Sequence, residues 1–259
     1  MKKNLSIRMT SLFFVLALSF TACGGGGDNG SAITSNTTFA KRSQSPAGLW
    51  QGTTHSSVTN NTYSLVGIIS ENHTTRFISS ANGQYKGVIS VNGDAVTSTM
   101  TGFAPLGYVF PDGTQVSTLN VSGTLQEKSK IDAVYTGAGD IGSITLSYDP
   151  VYDRASNLSL TAGTWKSSSS GIVYTVAIDN AGTITGNTSS GCVFSGNVSI
   201  IDSAYNCYDV TLTVSSCGIL NGSYYNGLAT IGDSISTNDT LITGLSNLTA
   251  SITLSLARQ

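Results

Sequence analysis

The 259-residue sequence has few charged residues, few prolines and only two histidines. Lys and Arg together number 12 against 14 Asp and Glu, and there are four prolines. Nucleic-acid-binding proteins present a basic surface to phosphates, so this composition argues against that class. The two histidines leave few options for acid–base catalysis or a metal centre. No segment beyond residue 22 shows sustained helical periodicity.

What the sequence does contain is typical of β-structure. Val, Ile, Thr and Tyr recur in short alternating runs, bounded by Gly, Asn and Asp. Such runs favour strands. Asn82-Gly83 and Asn92-Gly93-Asp94 favour tight hairpin turns, because Asn and Gly tolerate positive φ angles. The sequence therefore predicts an all-β protein.

The chain also repeats itself. Residues 47–51 (AGLWQ) match residues 162–166 (AGTWK), and residues 143–147 match residues 251–255 as SITLS. Residues 83–87 align loosely with residues 191–196. Each unit runs for about 100 residues from a Gly-x-Trp to a closing strand. We predict a first domain at residues 45–148, a linker at 149–157 and a second domain at 158–259.

About eight strands are predicted in each unit, joined by consecutive hairpins. Eight strands in an up-and-down meander can close on themselves and remove the sheet edges. The Gly-x-Trp start, the meander and the apolar last strand resemble the lipocalin and avidin superfamily. That resemblance implies two tandem eight-stranded antiparallel β-barrels, with Arg258 stacked over Trp165. A pair of eight-stranded sandwiches is the alternative.

The N-terminus predicts export and lipid attachment. Lys2, Lys3 and Arg8 precede the apolar run at residues 12–18, as in a secretory signal. Residues 20–23 (FTAC) resemble the lipobox of bacterial lipoproteins. The resemblance implies a signal peptide at residues 1–22, lipid attachment at Cys23 and, from Gly24, an outer-membrane location. Residues 23–44 are predicted to be a disordered, flexible tether.

Removal of residues 1–22 takes away three basic residues, leaving nine against fourteen acidic ones and a net charge of −5. This charge argues against nucleic acid and anionic lipid as partners. We expect a membrane association through the lipid and a protein or surface-glycan partner. The oligomeric state is left open.

The second unit's alternating face, which includes Phe194, Tyr208, Leu212 and Leu254, is large and apolar. We therefore expect the barrel interiors to be filled by their own side chains, without a ligand pocket.

Three cysteines remain in the second domain, in an oxidising compartment. Predicted strands at 192–200 and 205–215 form a hairpin in which the numbers of paired residues sum to about 405. Cys192 then lies near Cys217, whereas Cys207 lies too far away for a bond. We predict a Cys192–Cys217 disulfide. Cys207 is predicted to face outward, either as a free thiol or as a bridge to another molecule.

Two motifs suggest chemistry that their context does not support. Residues 137–142 (GAGDIG) fit the dinucleotide fingerprint, but an alternating strand follows where a helix is required. Residues 232–235 (GDSI) resemble the nucleophile block of Gly-Asp-Ser-Leu hydrolases, but no histidine follows them. We interpret both as turns.

The remaining candidates are weaker. A metal site of His55, His73 and Glu71 lacks a supporting cluster, so we expect no metal and no cofactor. Trp50 and Trp165 are predicted core anchors. Residues 104–114 form a long, apolar loop that either caps the barrel or contacts a partner through Leu106, Tyr108 and Phe110.

These features predict a non-enzymatic, outer-membrane-anchored lipoprotein that acts as a binding or interaction module. The first alternative is a periplasmic inhibitor or immunity-type lipoprotein. The second is a carrier of a small hydrophobic ligand.

Overall fold

The structure, a computed structural model, describes residues 43–169 and 171–259. The predicted signal peptide, Cys23 and the tether up to residue 42 lie outside the described residues. None of the helices in the described part is both long and apolar enough to cross a membrane.

The prediction of two tandem eight-stranded barrels is confirmed, and the sandwich alternative is wrong. In each half every strand pairs antiparallel with its neighbours, and the first strand pairs with the last. The strands of the first barrel are β1 (Gly48–Ser56), β2 (Thr62–Ile69), β3 (Thr74–Ser79), β4 (Gln84–Asn92), β5 (Ala95–Phe103), β6 (Val116–Gln126), β7 (Lys130–Gly137) and β8 (Asp140–Asp149).

The second barrel repeats this arrangement. Its strands are β9 (Gly163–Ser169), β10 (Ile172–Ile178), β11 (Thr183–Thr188), β12 (Val193–Ile200), β13 (Tyr208–Ser215), β14 (Gly222–Gly232), β15 (Thr240–Ser246) and β16 (Ser251–Arg258). The duplicated Gly-x-Trp segments lie in the first strand of each barrel, and the duplicated SITLS segments lie in the last.

Each tryptophan closes one end of its barrel. Trp50 and Trp165 are both 0% exposed. The indole nitrogen of Trp50 donates to the carbonyl of Pro46 at 3.0 Å, and that of Trp165 donates to the carbonyl of Thr161 at 2.7 Å. In both cases the acceptor lies four residues earlier in the chain. The two units therefore bury their indoles through the same local contact.

The group packed on the indole differs between the barrels. In the first, the ring of Tyr148 meets Trp50 edge-on, with centroids 5.4 Å apart. In the second, the Arg258 guanidinium lies 4.2 Å from the Trp165 ring centroid, so the expected stacking is confirmed.

The segment between the barrels is ordered and packed. Pro150–Asp153 form a 3-10 turn and Leu158–Thr161 form a short helix, α1. Tyr152 is 1% exposed and stacks on Tyr205 with ring centroids 5.2 Å apart. It belongs to an apolar cluster that joins both barrels: Ala47, Leu49, Ile68, Tyr152, Cys207 and Leu228.

Polar contacts reinforce this junction. Arg154 binds Asp233 with two parallel hydrogen bonds of 2.8 and 2.5 Å. Lys86 Nζ donates to the carbonyl of Asn247 at 3.2 Å, from the first barrel to the second. At the start of the described chain, Gln44 is also held: its N–H donates to the Gly93 carbonyl at 3.1 Å.

The predicted disulfide is present between Cys192 and Cys217, whose Cα atoms are 4.7 Å apart. The predicted register was off by three, because the paired residues of β12 and β13 sum to 408, as in Val193 with Ser215. The shorter β13, which begins at Tyr208, lengthens the turn and moves the pairing. Cys192 still lies beside the end of β13, so the same bond forms.

The expectation of an exposed thiol at Cys207 is wrong. Cys207 is free, but only 2% of its surface is exposed. It lies just before β13 and packs in the apolar cluster between the barrels. Burial raises its pKa to about 12. The sequence of one unit alone could not predict this burial, because the neighbouring unit covers the cysteine.

Candidate functional site: the cavity of the first barrel

The first barrel encloses a cavity of about 160 Å³. This contradicts the expectation that both interiors are filled. Its lining is mostly apolar and comes from all eight strands; central lining residues are Leu65, Phe77, Ile89, Val96, Met100, Leu119, Ile131, Ala133 and Leu146.

Small inward-facing residues create this space. Thr54, Ser98 and Ala133 are buried and line the cavity. The second barrel carries larger side chains inside, and its internal cavity is only about 20 Å³, room for little more than one water molecule. Its lining residues are Val176, Ile178, Ile184, Phe194, Val198, Val210, Leu212, Ala229, Leu241, Thr243, Leu245, Leu254 and Leu256. The prediction of a filled core, which was based on residues of the second unit, thus holds for the second barrel and fails for the first.

The cavity reaches the surface at the end of the barrel opposite Trp50. Thr59, in the β1–β2 turn, and Pro111, in the β5–β6 loop, are exposed and line the cavity. Ala138, in the β7–β8 turn, lines it at the same end. We call this end the mouth. The buried Trp50 lies at the other end of β1. We call that end of the barrel the closed end.

A small polar group lies at the mouth. The hydroxyl of Tyr135 donates to the carboxylate of Asp140 at 2.7 Å. Burial raises the pKa of Tyr135 above its ordinary value, the Asp140 carboxylate raises it further, and a hydrogen bond with Thr54 opposes the rise. The second Asp140 oxygen accepts from the N–H of Ile141 at 2.8 Å. Tyr135 therefore remains a neutral donor, held in place beside an apolar chamber.

The polar groups at the mouth make hydrogen bonds within the barrel. Ser56 Oγ accepts from the N–H of Thr59 at 3.0 Å, so this hydroxyl is already engaged at the mouth. Asp140 is the only carboxylate among the lining residues. Among the described residues, no group of three or more metal-ligating side chains is found. The arrangement can hold an apolar molecule and orient one polar group of it.

The predicted contact loop lies at the same end. Leu106 is 48% and Tyr108 is 70% exposed. Phe110 instead packs inward, with its ring centroid 6.4 Å from that of Tyr85. Phe110 therefore caps the barrel and is not an outward contact residue, whereas Leu106 and Tyr108 face outward. A partner contact through Leu106 and Tyr108 stays a prediction.

The three candidate metal ligands contact other groups. His55 Nδ1 lies 3.1 Å from the hydroxyl of Thr62. His73 Nδ1 donates to the carbonyl of Ile89 at 3.2 Å. Glu71 accepts from the hydroxyl of Tyr152 at 3.2 Å, and burial raises its pKa.

The dinucleotide-like segment at residues 137–142 and the hydrolase-like segment at residues 232–235 form turns, as predicted. Gly137, Ala138 and Gly139 have φ angles of +133°, +57° and +72°, and they join β7 to β8. Residues 233–239 form the loop between β14 and β15. There the Asp239 carboxylate accepts the N–H groups of Ser234 at 2.6 Å and Ser236 at 2.7 Å.

The sequence reasoning missed the cavity and its polar group. The signal that could have revealed them is the alternation in the first unit, which places Thr54, Ser56, Ser98 and Ala133 on inward-facing positions. Tyr135 precedes the β7–β8 turn and Asp140 follows it, within the GAGDIG segment at residues 137–142.

A scan against protein-family models finds no match, and searches of curated proteins and of solved structures also find none.

Proposed function

We propose that this protein is a lipid-anchored, non-enzymatic protein of the bacterial outer membrane whose first barrel binds a small apolar molecule bearing one polar group. The cavity of about 160 Å³ in the first barrel carries this proposal. An apolar cavity of about 150 Å³ is large enough to bind benzene. The expected ligand class is therefore a single ring or a short branched chain with one hydroxyl.

The distribution of polar groups supports this ligand class. Small-molecule sites are lined mainly by apolar side chains, with a few placed polar groups that set orientation. Here the apolar chamber around Met100 leads to the Tyr135–Asp140 pair at the mouth. A ligand hydroxyl could donate to the Asp140 carboxylate or to the phenolic oxygen of Tyr135, whose own proton is donated to Asp140.

The Cys23 lipobox and the secretory signal support the location. The lining of the cavity includes neither histidine nor cysteine nor lysine, which supports a binding role over catalysis. The second barrel, with its filled core, would serve as a support for the first.

The chain offers a single-site probe for this proposal. Met100 lines the cavity, and it is the only methionine downstream of residue 22. In the mature protein labelled with ¹³C-methyl methionine, benzene and phenol should each shift one methyl resonance in a saturable manner. Native mass spectrometry of the protein from its own cells should also find a bound small molecule.

Ala133→Leu should abolish the shift, because the larger side chain fills the cavity. Val134→Leu is the matched control: Val134 is the next residue, it is 52% exposed, and its side chain points away from the cavity. If neither benzene nor phenol shifts the Met100 methyl resonance, the proposal is contradicted.

A second candidate function is an inhibitor or interaction module that acts through the β5–β6 loop. The exposure of Leu106, Tyr108 and Val109, at 48%, 70% and 61%, favours it, because apolar and aromatic side chains are enriched in interface cores. Tyr108→Ser in the mature protein should weaken capture of a partner hydrolase without changing the Met100 response to benzene.

A further inference from the structure

The second barrel closes incompletely between its first and last strands. In the first barrel, β1 and β8 pair at eight positions, from Leu49–Asp149 to Ser56–Gly142. In the second, β9 and β16 pair at two positions only, Trp165 with Arg258 and Lys166 with Ala257. Beyond Lys166 the two strands separate. We call this opening the seam.

Main-chain hydrogen-bonding groups point into the seam. The N–H of Gln259 donates to the carbonyl of Thr164 at 2.9 Å, so the main chain of Thr164 faces β16. Alternate residues of a strand direct their main-chain groups to the same side. Ser168 therefore also faces the seam, and by the same reasoning so do Thr253 and Ser255.

An independent contact supports this direction for Ser168. Ser168 lies opposite Val173 on β10. The carbonyl of Val173 accepts from the N–H of Ser189 at 2.8 Å, on the side away from β9. Val173 and Ser168 thus form a non-hydrogen-bonded pair, which leaves the Ser168 main chain directed away from β10. In the described part of the chain nothing pairs with Ser168 on that side.

The seam opens into a cleft of about 430 Å³ that also borders the mouth-end loops of the first barrel. None of the fifteen residues that line this cleft is charged. Leu106 lines it from the first barrel, and Leu248, which is 89% exposed, directly precedes its residue Thr249. Proteins usually guard open strand edges with charges or prolines. The seam residues Ser167, Ser168, Ser169, Ser251, Thr253 and Ser255 include neither.

We propose that the seam binds an extended, uncharged segment of a partner polypeptide as an added strand. Its main chain would pair with Thr253 and Ser255 on β16, opposite Ser168 on β9. Strand addition of this kind takes its affinity from main-chain hydrogen bonds and its specificity from side-chain pockets. The available β16 edge, Ser251–Ser255, is about 17 Å long, enough for five residues. Leu106 and Leu248 supply apolar contacts, and the uncharged lining disfavours charged side chains.

The test uses the mature chain and a blocked octapeptide of alternating Thr and Val. Amide hydrogen exchange at Ser168, Thr253 and Ser255 should slow about tenfold at a peptide concentration ten times Kd. The same peptide with N-methyl groups along one edge should give no protection. Neutral maltohexaose tests a glycan as the ligand instead.

Two pairs of variants separate the main chain from the side chain. Ser255→Pro removes a seam-facing N–H and should abolish protection, whereas Ser255→Ala keeps that N–H and should retain protection; proline is tolerated where the N–H is unpaired. Ser168→Pro and Ser168→Ala repeat the comparison on β9. The proposal is overturned if maltohexaose but not the peptide protects, if the N-methylated peptide protects equally, or if no amide is protected at about 1 mM peptide.

Discussion

The guanidinium of Arg258 lies over the indole of Trp165, 4.2 Å from the ring centroid. It also donates to the carbonyls of Ala162 at 2.7 Å and Asn238 at 3.0 Å, and to that of Leu160. One side chain thus ties the last strand, the start of β9 and the β14–β15 loop to the closed end.

Arg258→Ala should destabilise the protein by about 2–4 kcal/mol, because it removes a cation–π contact and several charged hydrogen bonds. Urea unfolding followed by tryptophan fluorescence measures this change. The control is Lys166→Ala, an exposed position on β9 next to Trp165, which should change stability by less than about 0.5 kcal/mol. Equal effects of the two variants would contradict this role for Arg258.

The disulfide joins residues 25 apart in sequence. Replacing Cys192 and Cys217 together by serine should cost about 3.5 kcal/mol, because the unfolded chain regains the entropy of the closed loop. Reductant should destabilise the natural protein by a similar amount and leave the double variant unchanged. A further loss on reduction of the variant would show that another bond contributes.

Cys207 should resist thiol reagents in the folded protein. It is 2% exposed, and burial raises its pKa to about 12, so very little thiolate is present at neutral pH. Labelling by a disulfide reagent should proceed only as fast as the protein opens, and it should be complete in concentrated urea. Labelling within seconds in native buffer would mean that the junction between the barrels opens readily.

Acid should weaken the contact between the linker and the β14–β15 loop. Hydrogen bonds from Arg154, together with one from the Asn238 N–H, lower the pKa of Asp233 to about 2. The folded pKa lies below the unfolded value of about 3.9, so the stabilisation is present above that value and is lost as the pH falls towards 2. Asp233→Asn should reduce the fall in Tm between neutral pH and pH 2.5, and Arg154→Gln should do the same. If Tm falls as much in these variants as in the natural protein, the Arg154–Asp233 ion pair is not a source of acid sensitivity.

Asp140 should set a preference for hydroxylated ligands. Phenol should bind the first barrel more tightly than benzene, because its hydroxyl can donate to the carboxylate. Asp140→Asn should reduce that preference several-fold while benzene binding persists, as measured by the Met100 methyl shift. Thr145→Ala, on the outer face of the same strand, is the control. If phenol and benzene bind equally to the natural protein, Asp140 does not select the ligand.

Local patterns were enough to predict most of the fold. About eight strands were predicted in each unit, and each barrel contains eight. Alternation has a period of two, and turns such as Asn82-Gly83 are set by short-range sterics, so both can be found in a single segment. The disulfide also followed from hairpin geometry, even though the register differed by three.

Properties that depend on several distant strands were not predictable in this way. The cavity arises because small residues on different strands, such as Thr54, Ser98 and Ala133, meet in one barrel. The burial of Cys207 requires the other barrel and Tyr152. The strands β9 and β16 pair at only two positions. How far this pairing extends depends on the tilt of neighbouring strands, which no single segment determines.

Gln44 ties the start of the described chain to the closed end of the first barrel. Its N–H is held by Gly93 and its side-chain oxygen accepts from the N–H of Glu127 at 2.6 Å, both in loops at the Trp50 end. The nine residues of β1 span about 30 Å from there to the opposite rim. The described chain therefore enters the first barrel at the Trp50 end, one barrel length away from the opening through which a ligand would pass.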